Sequence, residues 1–364
     1  MSESANETKR LMTDTLAQRL ARPELLSLEP YLSARRIGGQ GDIWINANES
    51  PFNNAEIQGA LIANINRYPE CQPPELIEAY SDYSGVAKEC IITGRGADEA
   101  IELLIRTFCT PGKDTIACFG PTYGMYAISA QTFNVGVYAL DLTADHRLPH
   151  DIASRVGNAK LVFICNPNNP TGTVIDKASI ERVITQLPDA LVVVDEAYIE
   201  FCPDYSVADL IDKYDNLVVL RTLSKAFALA GARCGFLLAN PNICQMVMRV
   251  IAPYPVPLPV AILATRALSE QGINTMLEQV TRLKACGARL SEALQDYGAK
   301  VLPANGNFVL AQFDDISAIQ ALLLSNGVVA RAYNDPRLAT CIRFSFSNAD
   351  ETDYLIKLLA PVAE

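Results

Sequence analysis

With 364 residues, 49% of them apolar and 20% charged, the chain is long enough for about two domains around a large core, and this composition excludes disorder for most of its length. Its 41 acidic residues against 30 basic ones give a net charge of -11, which argues against nucleic acid or an anionic membrane as the main partner and leaves small molecules as the expected ligands. Ten cysteines without a C-x-x-C pair and only two histidines, His146 and His150, match neither zinc spacing nor a disulfide framework. No metal site is expected, and the thiols read as buried and reduced in a cytoplasmic protein.

The first residues, "MSESANETKRLMTDTLAQRL", lack the apolar core of a signal peptide and read as frayed, then helical. Through the middle, strand-like runs alternate with helical ones. "CIITG" is followed by "ADEAIELLIRTFC", with Ile101, Leu104, Ile105 and Phe108 at helical spacing, then by "DTIACFG", "AKLVFIC", "ALVVVD" and "NLVVL". Such a series predicts an α/β fold with a mostly parallel sheet covered on both faces. The longest apolar run, "VIAPYPVPLPVAILAT", is broken by Pro253, Pro255, Pro257 and Pro259 and falls short of the roughly 20 residues that span a bilayer. It reads as an extended segment leading into a helix. After about residue 270 a long helix, "NTMLEQVTRLKACGARLSEALQDYG", precedes "AKVLP", "NFVLAQF", a helix, "GVVAR", "CIRFSFS" and a last helix. The expected division is a large domain over 51–270 and a smaller α+β domain over 271–364, with residues 1–50 packing on the smaller one.

In open α/β sheets, ligands gather at the carboxyl ends of the strands. There "GRGADEA" offers two glycines before a helix start, where free N–H groups favour a phosphate; equally, Asp98 and Glu99 stabilise the first turn of a helix. "NPNNPTG" serves a ligand or simply a tight loop. Asp195 ends five apolar residues in "ALVVVDEAY", so it needs a positive partner, either a ligand or a structural salt bridge; Tyr198 shares that site or packs beside it. From Asn216 to Ser269 there is no Asp or Glu, yet Arg221, Lys225, Arg233, Arg249 and Arg266 are all present, which calls for an anion or for surface exposure. Lysines are usually solvated, but Lys225 lies in apolar sequence with Arg221 and Arg233 near it. Such surroundings disfavour its charge and make it nucleophilic. A phosphate nest, a buried carboxylate beyond one strand and an activated lysine beyond a later one together fit pyridoxal phosphate.

The motifs "GADE", "NPNNPTG", "DEAY" and "SKAFALAGARCGF", in this order, resemble the fold type I aminotransferases. "YLSARR", "NANESP", "NRYPE", "PTYGMY" and "RVIAPYPV" are similar to the branch of that family that acts on histidinol phosphate, and the resemblance runs from about Tyr31 to the C-terminal helix. It implies that Lys225 carries pyridoxal 5'-phosphate as a Schiff base, Asp195 pairs with the ring nitrogen, Asn169 and Tyr198 contact the ring hydroxyl, and Tyr123 stacks on the ring. Ala97, Asp98, Thr222, Ser224 and Arg233 would hold the phosphate. Tyr68 would reach that phosphate from a second subunit, making a homodimer with shared sites. Arg343 would bind the substrate carboxylate, and Tyr31, Asn48 and Arg331 would line the substrate pocket. The implied reaction is transamination of L-histidinol phosphate with 2-oxoglutarate, giving imidazole acetol phosphate and glutamate, in histidine biosynthesis. Alternatives on the same scaffold are an aromatic amino acid aminotransferase or a threonine-phosphate decarboxylase; a less favoured one is a non-catalytic regulator that binds the cofactor, for which this sequence offers no basic helix-turn-helix segment. "RFSFS" departs from the family's arginine-[IV]-[ST]-[IVL]-G pattern, and "ANGNF" lies in a variable loop.

Overall fold

The computed structural model describes residues 40–52 and 69–360. Tyr31, Tyr68 and the expected N-terminal helix lie outside them. Seven strands form the main sheet: β2 (Ile91–Gly94), β3 (Thr115–Gly120), β4 (Gly136–Asp141), β5 (Leu161–Cys165), β6 (Leu191–Asp195), β7 (Leu217–Thr222) and β8 (Gly235–Ala239). Their spatial order is β2-β8-β7-β6-β5-β3-β4, with β8 antiparallel to both its neighbours and every other pairing parallel.

The apolar runs fill both faces of this sheet because successive side chains point to opposite sides. Val162, Ile164, Val192, Val194, Leu217 and Val219 enter one buried cluster, while Leu161, Phe163, Val193, Val218 and Leu220 enter another. The helix Ala97–Phe108 covers the second face through Ile101, Leu104 and Ile105, as its spacing predicts; Phe108 is only partly buried. On the first face lie Leu76, Ile77 and Tyr80 from Pro74–Ser84, Ile180, Val183 and Ile184 from Lys177–Gln186, and the long helix Glu270–Asp296.

A second, antiparallel sheet follows the long helix in the order β12-β13-β10-β9, built from β9 (Lys300–Val301), β10 (Phe308–Gln312), β12 (Arg331–Ala332) and β13 (Cys341–Ser345). The segment β1 (Ile43–Trp44) pairs in parallel with β11 (Val328–Val329), so residues before the main sheet join this C-terminal part. The run "GVVAR" is thus two short strands, not one. Two strands lie outside the alternating series read from sequence. β4 is an edge strand with no fully buried residue, which weakens its apolar signal, and β8 is hidden inside the "GARCGFLLA" motif. All ten cysteines are free, seven of them buried; Cys71, Cys202 and Cys286 are partly exposed, in contrast to the uniform burial expected.

Glycine at the start of β8 is a packing requirement. A Cβ on Gly235 would stand 2.7 Å from the Cα of Gly96, backbone against backbone, where nothing can rotate away. Gly235→Ala is expected to cost about 1 to 3 kcal/mol, the range for overpacking, and to displace the start of the helix Ala97–Phe108. Denaturant unfolding of the variant checks the first consequence and its affinity for pyridoxal phosphate checks the second.

Candidate active site

Each site residue read from the motifs that lies among the described residues borders one cavity of about 770 Å³ at the carboxyl ends of the main-sheet strands. Its lining includes Asn48, Ala97, Asp98, Tyr123, Asn169, Asp195, Tyr198, Thr222, Ser224, Lys225, Arg233, Arg331 and Arg343. The chain leaves β3 outward to β4 and returns on the other side to β5, so the cavity mouth lies at the point where strand order reverses, the expected position for a ligand. Because β8 is antiparallel, its beginning also lies at this end, and Arg233 just before it faces residues that follow other strands.

One corner of the cavity is an anion cradle. The helix Ala97–Phe108 starts at Gly96, whose φ of 94° suits glycine and which provides no side-chain cap for the first N–H groups. Arg233, at φ 52°, donates through Nη1 to Ser224 Oγ at 3.4 Å and through Nη2 to Asp98 Oδ2 at 3.1 Å. Thr222 Oγ1 donates to Ser224 Oγ at 2.9 Å, so two hydroxyls and a guanidinium converge beside a helix N-terminus. Tyr123 donates to Asp98 Oδ1 at 2.8 Å and holds that carboxylate aside.

Asp195 is 3% exposed and has no cationic side chain paired with it among the described residues. Tyr126 donates to its Oδ2 at 2.6 Å and the Ala197 N–H to its Oδ1 at 3.1 Å. Burial outweighs both bonds and pushes its carboxyl up to about 6. The structural salt bridge is therefore not what places it there. Tyr126 is a site residue that the sequence reading missed; it stands in "PTYGMY" three residues after Tyr123, one helical turn on.

Lys225 Nζ donates to the Ala47 carbonyl at 3.4 Å and lies 5.6 Å from the ring centroid of Tyr198. Burial, and next the Arg343 guanidinium, lower the Lys225 ammonium to about 8; Arg233 contributes less. Sequence proximity misled about Arg221. It lies on the opposite face of β7, buried and paired with Glu196 Oε2 at 2.7 Å and facing Glu200 Oε1 at 3.6 Å. Arg249 and Arg266 are exposed, so of the five cations in the acid-free stretch two lie on the surface, Arg221 is buried against acids from outside the stretch, and Lys225 and Arg233 line the site.

Tyr198 is buried, edge-on to Phe308, with its hydroxyl accepting from Asn169 Nδ2 at 3.1 Å and Asn48 Nδ2 at 3.3 Å. Arg343 is 6% exposed; Nη1 donates to Asn169 Oδ1 at 2.6 Å and Nη2 to the Asn46 carbonyl at 3.0 Å. Arg331 stands directly opposite Arg343 in the β12–β13 register and lines the same cavity. Like charges directly opposite each other on a sheet repel, so the pair suits an anion placed between them. The loop after β12 closes this side: Tyr333, Asp335 and Leu338 line the cavity, and Arg337 bridges Asp335 and Asp141. None of these loop residues was singled out from sequence.

The donor set fits pyridoxal phosphate. The cradle matches a phosphate, the buried Asp195 lacks the cation that a protonated ring nitrogen supplies, and a lysine with a lowered pKa stands where a carbonyl can reach it. No group of three or more potential metal ligands occurs among the described residues, and no helix there is long and apolar enough to cross a membrane.

Comparison with known proteins agrees with this geometry. The aminotransferase class I and II family profile matches residues 43–359, and the chain belongs to that family. Among its relatives, a histidinol-phosphate aminotransferase of Shewanella oneidensis is 67% identical over 94% of this chain and 89% of its own. One of the same description from Vibrio parahaemolyticus is 50% identical over 92% and 96%. Among solved structures, the Sinorhizobium meliloti histidinol-phosphate aminotransferase in complex with pyridoxal-5'-phosphate superposes with a TM-score of 0.82 at 24% identity, covering 96% of this chain and 98% of that one. The Clostridium acetobutylicum histidinol-phosphate aminotransferase gives 0.80 at 25% identity, over 87% and 98%.

Proposed function

We propose that the chain transfers the amino group of L-histidinol phosphate to 2-oxoglutarate, giving imidazole acetol phosphate and glutamate, with pyridoxal 5'-phosphate as cofactor. The observation that carries this reading is the convergence of Lys225, Asp195 and the paired Arg331 and Arg343 on one cavity, in a chain 67% identical to a relative described as that enzyme. When bound, the cofactor supplies a conjugated cationic ring that draws electrons from the substrate Cα.

The chain's own residues then divide the work. Thr222, Ser224, Arg233 and the N–H groups of Ala97 and Asp98 hold the phosphate, while Tyr123 covers the ring. Asp195 keeps the ring nitrogen protonated, and Asn169 and Tyr198 orient the ring through its hydroxyl. Lys225 would hold the cofactor covalently at rest, and its amine, once free, is placed to take the proton from the substrate Cα and return it. Burial and the Arg343 guanidinium, which lower its ammonium in the cofactor-free protein, favour the free amine that this role needs.

Arg343 and Arg331 explain how one pocket serves two amino donors with different anions. A planar guanidinium accepts a carboxylate or a phosphate by paired hydrogen bonds; lysine does not reproduce that fork. Arg343→Lys is expected to weaken both half-reactions by about 2 to 5 kcal/mol while cofactor absorbance persists. Single-turnover kinetics with each donor check this, and a loss confined to glutamate would assign the phosphate to Arg331. The active unit is a homodimer in this reading, with Tyr68 serving the neighbouring subunit.

The decisive experiment compares histidinol phosphate, phenylalanine and threonine phosphate with purified protein. The expected result is a clear preference in kcat/KM for histidinol phosphate with 2-oxoglutarate as acceptor. A preference for phenylalanine, or release of carbon dioxide from threonine phosphate, overturns the assignment.

A further inference from the structure

Asn48 is wholly buried at a φ of 53°, and each of its polar atoms has a partner within the protein. Its N–H donates to Ser345 Oγ at 2.7 Å, and the same hydroxyl donates back to Asn48 Oδ1 at 2.7 Å. Asn307 Nδ2 donates to its carbonyl at 2.7 Å, and its own Nδ2 donates to the Tyr198 hydroxyl at 3.3 Å. Apart from the second N–H of its amide, the polar groups of Asn48 are engaged within the protein. It is a strut between the second sheet and the tyrosine of the main cavity, in a left-handed backbone that asparagine tolerates better than most residues.

Tyr198 receives two amide donors, one from Asn48 and one from Asn169. They occupy the acceptor positions of its oxygen, so the phenol's own proton is left to point into the cavity. We propose that Ser345 is a positioning residue: by gripping both the backbone N–H and the side-chain oxygen of Asn48, it holds that amide on Tyr198 and so fixes the direction in which Tyr198 donates. Ser345 lies two residues from Arg343 on β13, on the same face of the strand, so one short segment supplies both an anion anchor and this clamp. Asn307 is the second positioning residue, through the Asn48 carbonyl.

The charged surroundings agree with this role. Burial raises the Tyr198 phenol above its ordinary range, Arg343 and the Asn48 hydrogen bond pull it back, and Cys165 and Asp195 push the other way. Lys225 lies over its ring. Release of Asn48 removes one of the two groups that favour hydrogen bonding at this oxygen.

The inference rests on the pyridoxal phosphate reading, and the test separates the two. A donor on the cofactor's ring oxygen stabilises the ionised oxygen and lowers the pH midpoint of the visible absorbance of the loaded protein. Ser345→Ala is expected to raise that midpoint by about half a unit to one unit, as for the loss of one hydrogen bond. It should also lower kcat by about 3- to 10-fold, with KM for the amino donor within about twofold. Tyr198→Phe should shift the midpoint further in the same direction, and Ser345→Thr, which keeps the hydroxyl, should restore the wild-type value. If Ser345→Ala does not load, Ser345→Cys keeps the volume with a weaker donor and gives the same readout. An unshifted midpoint beside a normal wild type, whatever the melting temperature does, overturns the inference alone, as does a Thr variant that behaves like Ala. A wild type that takes up no pyridoxal phosphate overturns the functional reading and this one with it.

Discussion

Replacing Lys225 with alanine is expected to abolish covalent retention of pyridoxal phosphate and to lower turnover by about 10⁴-fold, the upper end for losing a positioned proton-transfer group. The cradle of Thr222, Ser224 and Arg233 is untouched in this variant, so the cofactor should still bind, but dialysably. Borohydride reduction followed by peptide mapping checks the attachment: the wild-type label belongs on Lys225, and label on any other lysine contradicts the assignment. The same side chain makes a pH prediction. Burial and Arg343 hold its ammonium at about 8, against 10.5 ordinarily, so the rate at which apoprotein takes up the cofactor should rise with pH and level off near 8. A rate still climbing steeply at pH 10 would mean that the lysine is solvated.

Asp195→Asn should separate stability from activity. In apoprotein the carboxyl is raised from 3.8 to about 6, so between those values the native state holds more protons than the unfolded chain, and stability falls as pH rises. Above pH 6 the full penalty applies, about 3 kcal/mol for a shift of about two units. Asparagine carries no such charge. Apo Asp195→Asn is therefore expected to be more stable than apo wild type at pH 7 to 8, by up to that amount, with the difference vanishing below pH 4. The loaded variant should lose about 10²- to 10³-fold in kcat, the usual effect of removing one preorganised electrostatic group. Urea unfolding at two pH values and steady-state kinetics measure both halves. Equal stability at pH 8 would mean that the apo carboxylate is better solvated than its surroundings indicate, and near-wild-type turnover would remove the electron-withdrawing role.

Much of this was legible in the chain because short-range patterns carried it. The five-residue apolar strands ending in Asp195 or leading into "NPNNPTG" announce themselves, and the motifs put Lys225, Asp195 and Tyr198 at strand ends before any contact is known. The illegible parts depend on partners far away in sequence. Arg221 and Arg233 read alike beside Lys225, but strand alternation sends the first to the opposite face, where Glu196 and Glu200 neutralise it. Tyr126 gave no signal of its own beyond its helical spacing from Tyr123. The resemblance placed Asn48 at the pocket, which it lines; only the register of β13 shows that Ser345 engages its N–H and its side-chain oxygen. The "ANGNF" loop, read only as variable, docks on the main cavity's turn through Asn305, which donates to the Gly172 carbonyl.

The antiparallel turn of β8 has a consequence for the order in which the site is assembled. Arg233 meets Ser224 across 9 residues of chain, and Asn169 meets Tyr198 across 29, whereas Arg343 reaches Asn169 across 174 and Ser345 reaches Asn48 across 297. Closing a loop of 174 residues instead of 9 costs about 3 kcal/mol more in chain entropy. The hydroxyl and guanidinium side of the cradle is thus made of neighbours in the chain, its helix N-terminus joins through Arg233 and Asp98 across 135 residues, and the substrate's anchors come from the last strands.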